Sequence, residues 1–347
     1  MNKNILVAGG AGYIGSHVCW RLHHAGYTPI VLDNLSAGHE WAVRWGDLVR
    51  GDIGDEDLVL EICQKYNPAA LMNFAALTDV AWSVREPEVF FENNAERAQK
   101  LFCAAYKGGV RHIVFSSTAA VYGVPDRDGT VTEEAALRPS NPYGESKIKA
   151  EQALSSPLLE GMRSVTLRYF NAAGAAPVDV DLGEAHWPET NLIPRVILSA
   201  LGYEGPLNLF GNDYDTPDGT AIRDYIHVCD LADAHIAALQ YLLDGGATGT
   251  FNLGTGQGHS VMEVIRAVEH YLGTKINVEI NPRRPGDVPV MLAKPDKAHR
   301  HLGWSARHAL QDIISSAVEW HKTPQYYERV IRPNMKPHEE FTIFMGS

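Results

Sequence analysis

The chain has 347 residues, of which 45% are hydrophobic and 21% are charged, a balance typical of folded globular proteins. Its formal net charge of −12 argues against a nucleic-acid-binding protein, which would carry a basic stripe, but it leaves room for a local anion site. The four cysteines show no disulfide or metal-ligand spacing, so we expect reduced thiols, no metal and a cytoplasmic location. We expect neither a cleaved signal nor a membrane span, because no apolar run is long enough.

Strand-like apolar runs alternate with amphipathic segments through the first half of the chain. Strands are predicted at Ile5–Ala8, Ile30–Leu32, Ala70–Phe74, His112–Phe115 and Ser164–Arg168, and helices at Asp55–Tyr66 and Pro87–Tyr106. Such alternation is typical of βαβ units. We therefore predict an α/β fold with a doubly wound parallel sheet.

The amino-acid composition changes near residue 172, where Pro, Gly, Asp and Asn become frequent. Helices are predicted at Asn191–Tyr203, Asp230–Leu243, Val261–Leu272 and His308–Trp320. The long polar loops Ala175–Thr190 and Gly211–Thr220 are of the kind that forms binding surfaces or lids. We predict a cofactor domain over residues 1–171 and a smaller α/β C-terminal substrate lobe over 172–347, with some segments returning to the first domain. The apolar tail Phe341–Phe344 could pack on the body or on a partner.

A glycine-rich loop follows the first predicted strand and precedes a helix. The segment Gly9–Gly15 reads Gly-Gly-Ala-Gly-Tyr-Ile-Gly and satisfies both GxGxxG and GxxGxxG. Glycines at this spacing allow a tight turn and let a pyrophosphate approach the helix N-terminus. The alternative is an ordinary glycine-rich turn, but the strand–loop–helix context favours NAD binding in a Rossmann-type fold.

Acidic residues follow the next two strands. Asp33 ends the second strand, 18 residues after Gly15. A carboxylate at this position would bind the adenosine ribose and repel a 2′-phosphate, which favours NAD over NADP. The alternative is a turn formed with Asn34. Asp52 and Ile53 follow a third strand candidate and could contact adenine.

A tyrosine and a lysine lie four residues apart in a predicted helix. Tyr143 and Lys147 would share one helical face, with Asn141 as the cap. A nearby ammonium and a cationic nicotinamide would lower the phenol's pKa and make it a usable base. Thr118 ends a strand 25 residues earlier and could bind the same substrate oxygen. A second such pair, from Tyr271 to Lys275, is interrupted by a glycine, and we interpret it as chance.

With these residues, the chain resembles the extended short-chain dehydrogenases/reductases and, more closely, the UDP-glucose (UDP-galactose) 4-epimerases. The resemblance runs from Gly9 to about Trp304. Its specific strings are the segments 32–35, 168–171, 210–214 and, above all, 218–228, which reads Asp-Gly-Thr-Ala-Ile-Arg-Asp-Tyr-Ile-His-Val.

The resemblance implies a set of site residues. Tyr143 would be the acid/base, Lys147 would tune it and bind the nicotinamide ribose, and Thr118 would orient the sugar O4. The implied NAD site consists of Gly9, Gly12, Tyr13, Ile14, Gly15, Asp33, Asn34, Asp52, Ile53, Phe74, Ala75, Asn94, Tyr143, Lys147 and Tyr169. The implied UDP-sugar site consists of Thr118, Asn171, Asn191, Leu192, Asn208, Phe210, Arg223, Met291, Arg284 and Asp287.

The implied reaction oxidises C4 of the sugar to a ketone, which turns over while UDP stays anchored and is then reduced on its other face. NAD would be retained between cycles. The resemblance also implies a homodimer built on the helices Pro87–Tyr106 and Ser146–Leu154.

Three positions depart from the common pattern of these epimerases. Met291 stands where a Tyr or a small residue borders the sugar, so the choice between hexose, pentose, N-acetylated and uronate sugars stays open. Thr78 replaces a frequent lysine, and Lys294 a frequent acid. The closest enzymatic alternative, a 4,6-dehydratase or decarboxylase, is disfavoured because Ala119 and Ala120 follow Thr118 where an acid would be needed. A non-catalytic NAD-binding sensor on the same fold is a further alternative.

Overall fold

The computed structural model describes residues 3–125, 128–284 and 286–334. The apolar tail Phe341–Phe344 lies outside the described residues. Among the helices that are described, none combines the length and the apolar character needed to cross a bilayer.

The predicted strands all form, and shorter ones appear between them. The strands are β1 Asn4–Ala8, β2 Thr28–Asp33, β3 Asp47–Arg50, β4 Ala70–Asn73, β5 His112–Thr118, β6 Thr130–Val131, β7 Arg163–Tyr169, β8 Asn171–Ala173, β9 Leu207–Phe210, β10 Ile222–His227, β11 Gly249–Leu253, β12 Gly258–Ser260, β13 Val278–Asn281 and β14 Val290–Ala293.

The predicted helices also form, with ends that differ by a few residues. The helices are α1 Tyr13–His24, α2 Glu56–Tyr66, α3 Val80–Arg85, α4 Pro87–Phe91, α5 Ala98–Lys107, α6 Pro142–Leu154, α7 Leu192–Ala200, α8 Val228–Leu243, α9 Val261–Leu272, α10 Asp296–Leu302, α11 Leu310–His321, α12 Pro324–Tyr326 and α13 Arg332–Asn334. The predicted helix Pro87–Tyr106 is continuous, but its middle turn, Glu92–Arg97, is π-helical.

Seven parallel strands form the central sheet in the order β3-β2-β1-β4-β5-β7-β11. The order reverses between β1 and β4, so the crevice outside the carboxyl ends of these two strands is the expected ligand site. Successive residues of β1 point to opposite faces, and both faces are buried: Ile5 and Val7 pack towards α1 and α8, whereas Leu6 and Ala8 pack towards α2 and α5. Burial on both faces explains why these strands are continuous apolar runs. The fold is therefore α/β and Rossmann-type.

A second, smaller sheet has the order β12-β10-β14-β6, with β8 beside β10, and β13 pairs with β9. Helices α7, α9 and α11 pack around a separate apolar cluster here. Two elements cross the predicted boundary at residue 171: β6 joins this second sheet, and β11 joins the central one. The division into two domains at that residue stays a prediction.

Candidate active site

A cleft of about 750 Å³ opens at the carboxyl ends of β1, β4 and β5 and reaches the start of α7. Most of the site residues implied by the sequence lie in its walls. They are Gly9, Gly12, Tyr13, Ile14, Gly15, Asp33, Asn34, Ile53, Phe74, Ala75, Thr118, Tyr143, Tyr169, Asn171, Asn191 and Leu192.

The glycine loop has the shape of an anion cradle. Gly9 has a φ of +77°, and a Cβ there would lie 2.5 Å from the backbone nitrogen of Ala75. A Cβ on Gly15 would collide with the carbonyl oxygen of Gly9, whereas one on Gly12 would meet only that oxygen, at 3.4 Å. No side chain caps the first turn of α1, which leaves its N–H groups for a ligand. The loop therefore fits the pyrophosphate of a dinucleotide.

The Asp33 carboxylate is buried and makes hydrogen bonds within the chain. Its two oxygens accept the backbone N–H groups of Ala11, over 3.0 Å, and Leu35, over 2.8 Å. The turn interpretation of Asp33 is thus correct, and the same side chain also lines the cleft. A carboxylate oxygen accepts more than one hydrogen bond, so the two functions are compatible.

Two residues of the implied NAD site, Asp52 and Asn94, lie behind the wall of the cleft and do not line it. Asp52 forms an ion pair with Arg97, over 2.6 Å, and is absent from the cleft lining, unlike its neighbour Ile53. Asn94, in the π-helical turn, accepts a hydrogen bond from the Leu77 N–H over 2.8 Å and donates to Ser146 Oγ over 3.1 Å. Asn94 therefore fixes the loop after β4, and the loop itself lines the cleft.

The structure brings Thr118, Tyr143 and Lys147 together. Thr118 is the last residue of β5, and Asn141 caps α6 so that Tyr143 lies in its first turn beside Thr118. The Thr118 side chain lies close enough to the Tyr143 phenol to lower its pKa. Lys147 follows one turn later and is buried, with Nζ 4.4 Å from the ring centre of Phe115. Lys147 lies behind Tyr143 and not among the residues that line the cleft.

Burial has a strong effect on the pKa values of Tyr143 and Lys147. It raises the pKa of Tyr143 above its ordinary value, and the Thr118 side chain opposes this only in part. Burial also lowers the pKa of Lys147 to about 8, although the charge of Glu151 counteracts it. The protein groups alone thus favour the neutral phenol, because desolvation outweighs the opposing effect of Thr118. The expected lowering of the pKa includes the positive charge of a nicotinamide among its causes, which the chain by itself does not supply.

The second Tyr–Lys pair has no such setting. Tyr271 is 44% exposed and donates to Glu319 over 3.2 Å. Lys275 lies beyond the end of α9 and pairs with Glu269 over 2.6 Å. This setting agrees with the interpretation of the pair as chance.

The remaining implied substrate residues cluster in the second lobe. Arg223 and Asp287 form an ion pair of 3.5 Å, and the Arg284 guanidinium lies 4.1 Å from the ring centre of Phe210. Met291 pairs with Arg223 in the sheet. Asn208 accepts a hydrogen bond from the Asn281 amide over 2.9 Å. None of Asn208, Phe210, Arg223, Arg284, Asp287 and Met291 lines the cleft described above.

Sequence reasoning missed several cleft residues. Glu184, His186 and Trp187 line the cleft from the long loop before α7, and Arg329 lines it from a turn near the end of the described chain. The length and polarity of the loop predicted a binding surface, but no motif singled out these side chains. Nothing in the local sequence marks Arg329.

Comparisons with known proteins agree with this geometry. Residues 5–254 match the NAD dependent epimerase/dehydratase family. The chain is 48% identical to the UDP-glucose 4-epimerase of Rhizobium meliloti (strain 1021), over 92% of this chain and 97% of the relative.

Solved structures are similar over almost the whole chain. The UDP-glucose 4-epimerase from Brucella ovis in complex with NAD has a TM-score of 0.88 and 45% identity, over 91% of this chain and 98% of the other. The enzyme from Bifidobacterium longum in complex with NAD+ and UDP has a TM-score of 0.87 and 37% identity, over 93% of this chain and 99% of the other. The family match, the identities and the shared fold together lead to one conclusion: the chain belongs to the NAD dependent epimerase/dehydratase family.

Proposed function

We propose that this chain is an NAD-dependent nucleotide-sugar 4-epimerase that interconverts UDP-galactose and UDP-glucose. One observation carries the proposal. A single cleft joins the glycine loop of β1, the pair Thr118 and Tyr143, and the N-terminus of α7. The cofactor pyrophosphate, the reacting sugar and the substrate diphosphate would therefore follow one another along this cleft. Relatives that match over more than nine-tenths of this chain are UDP-glucose 4-epimerases, which supports the same reaction.

The chain's own residues would move the proton. Tyr143 takes the proton from the sugar O4 during oxidation at C4 and returns it during reduction, while Thr118 holds the same oxygen. Lys147 supplies a positive charge behind the phenol and a donor for a ribose hydroxyl. Bound NAD supplies a hydride acceptor for C4 and then a hydride donor. Because the acceptor is regenerated in each cycle, the cofactor is retained.

Two groups of residues would anchor UDP while the 4-keto sugar turns over. Asn191 and Leu192 offer donors at the N-terminus of α7, and Asn171 lies beside them in the cleft wall. The second-lobe cluster around Arg223 and Arg284 supplies guanidinium groups, which suit a diphosphate. Its other members, Asn208, Phe210, Asp287 and Met291, would hold the uridine and border the sugar. In this proposal residues 1–171 mainly bind NAD and 172–347 mainly bind UDP-sugar.

Assembly and location form part of the same proposal. Helices α3 and α4 pack against α6. Val84 in α3 and Val89 in α4 expose 64% and 37% of their surface. These exposed apolar side chains next to the predicted dimer helices support a homodimer, which light scattering in solution tests. All four cysteines carry free thiols, which supports a reducing compartment such as the cytoplasm.

Product analysis tests the function. The purified protein, without added NAD, is incubated separately with UDP-galactose, UDP-N-acetylgalactosamine and UDP-arabinose, and products are read by chromatography and proton NMR. We expect UDP-glucose from UDP-galactose. Conversion of another sugar alone would replace the substrate in the proposal. No conversion of any sugar, with or without added NAD, would reject the epimerase in favour of a non-catalytic NAD-binding protein.

A further inference from the structure

Two carboxylates are buried in the loop that leads into α7. Glu184 and Glu189 expose only 4% and 6% of their surface. His186 lies between them in sequence, and one polar atom of each of the three side chains lies within 4.8 Å of the others. Buried carboxylates next to a cleft that takes a diphosphate are electrostatically unfavourable, so their presence calls for a function.

Glu189 holds the backbone at the entrance to the helix. One of its oxygens accepts the N–H groups of Thr190 and Asn191, each over 2.7 Å. These two N–H groups precede α7. In the first turn of α7, Leu192 and Ile193 carry backbone N–H groups that no side chain caps, and Pro194 carries none. The N–H groups of Leu192 and Ile193 are therefore the ones that remain for a ligand.

Glu184, in contrast, binds the side chains of Asn191 and His186. Its Oε1 accepts the side-chain amide of Asn191 over 2.7 Å and the Nδ1 of His186 over 3.0 Å. Asn191 occupies the N-cap position of α7, yet its side chain makes no capping hydrogen bond. The usual partner of an N-cap asparagine, the backbone of its own helix, has therefore been exchanged for Glu184.

The chemistry of this contact fixes the orientation of the amide. An ionised carboxylate only accepts hydrogen bonds, so Asn191 must turn its NH₂ group towards Glu184 and not its carbonyl oxygen. One N–H is used by Glu184. The second N–H of the same planar group then points away from Glu184, and Asn191 is an exposed residue of the cleft wall.

We infer that Glu184 is a positioning residue, which orients the Asn191 amide so that it presents an N–H to the diphosphate of the nucleotide substrate. The inference rests on the proposed function, since it takes the α7 end of the cleft as the diphosphate site. Without Glu184, the amide would rotate freely and could present its carbonyl oxygen, which repels an anion.

A divalent cation held by Glu184, His186 and Glu189 is the competing interpretation. Each of the three groups already has a hydrogen-bond partner within the chain, which accounts for the cluster without an ion. The Trp320 indole also donates to the backbone oxygen of Glu184, which fixes the loop. The hydrogen-bonded arrangement is therefore the better supported one.

The experiment combines binding and kinetics in a double-mutant cycle. Affinity for UDP is measured by titration calorimetry, and kcat and KM for UDP-galactose by product analysis. The variants are Glu184→Met, which keeps the volume and removes the acceptor, Glu184→Gln, which keeps an acceptor, Asn191→Ala, and Glu184→Met combined with Asn191→Ala. Glu184→Ala replaces Glu184→Met if the latter does not fold. Glu204→Gln, a partly buried carboxylate also paired with α7, is the matched control.

We expect Glu184→Met to weaken UDP binding and raise KM by roughly 10-fold or more, because the hydrogen bond from the Asn191 amide to the charged diphosphate is lost. The value of kcat should be nearly unchanged. Glu184→Gln and Glu204→Gln should bind as the wild type does. Adding Glu184→Met to Asn191→Ala should cause little further loss, since the first residue acts through the second.

Three results would overturn the inference: wild-type affinity in Glu184→Met, losses that simply multiply in the double variant, or an affinity for UDP that a chelator abolishes and zinc restores. A wild-type protein that neither binds UDP nor converts any UDP-sugar would instead reject the proposed function, and the inference with it.

Discussion

The Glu151 carboxylate holds the Arg168 guanidinium through two hydrogen bonds of 3.0 and 2.6 Å in the protein interior. Both side chains are about nine-tenths buried. Glu151 also accepts the Ser117 hydroxyl, one residue before Thr118, and its charge raises the otherwise lowered pKa of Lys147. One carboxylate thus contacts the end of β5 and influences Lys147 on α6.

Removing this carboxylate should strongly destabilise the fold. Glu151→Met leaves the Arg168 charge buried without its partner, which typically costs about 3–5 kcal/mol in free energy of unfolding. Glu56→Gln, at an exposed pair with Lys107, should cost less than about 1 kcal/mol. Denaturant titrations of both variants measure these differences. Equal, small effects would show that the buried pair is not needed for stability.

Tyr143→Phe should abolish turnover but not cofactor binding. The phenol oxygen is the only group that the variant lacks, and general acid–base catalysis contributes about 10²–10⁴-fold to a rate. We expect kcat to fall by a factor in this range, while the NAD content of the purified protein is unchanged. Tyr271→Phe, in the exposed second Tyr–Lys pair, is the control and should be fully active. Wild-type activity in Tyr143→Phe would support the sensor alternative.

Two glycines of the cofactor loop should respond differently to the same substitution. A Cβ on Gly15 collides with the Gly9 carbonyl, so Gly15→Ala should unfold or misfold the loop. A Cβ on Gly12 has room within the protein but projects at the anion cradle, so Gly12→Ala should fold normally and lose NAD. Thermal melts of the cofactor-free proteins and the NAD content after purification measure the two effects. Normal NAD content in Gly12→Ala would mean that the pyrophosphate lies elsewhere.

Glu189 should make stability depend on pH. Burial, and then the nearby charge of Glu184, raise the pKa of Glu189 from 4.5 to about 8. The folded protein therefore binds a proton that the unfolded chain releases, and this stabilisation is present below about pH 4.5 and is lost as the pH rises through about 8. Glu189→Gln keeps a neutral acceptor at every pH. Its Tm relative to wild type should rise between about pH 5 and about pH 9, whereas a constant difference would contradict the shift.

Met291 should influence which sugar is converted. It packs against a cluster that contains Phe170, and Phe170 lines the cleft. Met291→Ser removes bulk at the border of the sugar site, so we expect kcat/KM for UDP-N-acetylgalactosamine to rise relative to that for UDP-galactose. The ratio is measured by product analysis with both substrates. An unchanged ratio would mean that Met291 does not border the sugar.

Local signals predicted the fold better than the site. The buried strands were evident because both faces of β1 and β4 are apolar, and α6 was evident from Asn141 and Pro142 at its start. The π-helical turn that contains Asn94 had no such local signal, and the Asn94 side chain instead contacts the distant residues Leu77 and Ser146. The two-residue strand β6 carries too few residues for any periodicity.

The site, too, was predictable from the sequence only in part. Spacing alone brought Tyr143 and Lys147 onto one face, and the strand end supplied Thr118. The contact between Arg223 and Asp287 joins residues far apart in sequence, and the resemblance to a family placed both in the substrate site without predicting that they pair. The contact of Glu184 with Asn191 depends on the path of an irregular loop, which no sequence pattern specifies.

In the proposed reaction, hydride leaves the sugar C4 and returns to the same carbon on its opposite face, within one cleft. UDP-galactose carrying deuterium at C4 tests it most directly, with the enzyme in ordinary water and no added NAD. The account predicts UDP-glucose that retains the deuterium at C4, read by proton NMR and mass spectrometry. Replacement of the deuterium by solvent hydrogen in the epimerised product would contradict it.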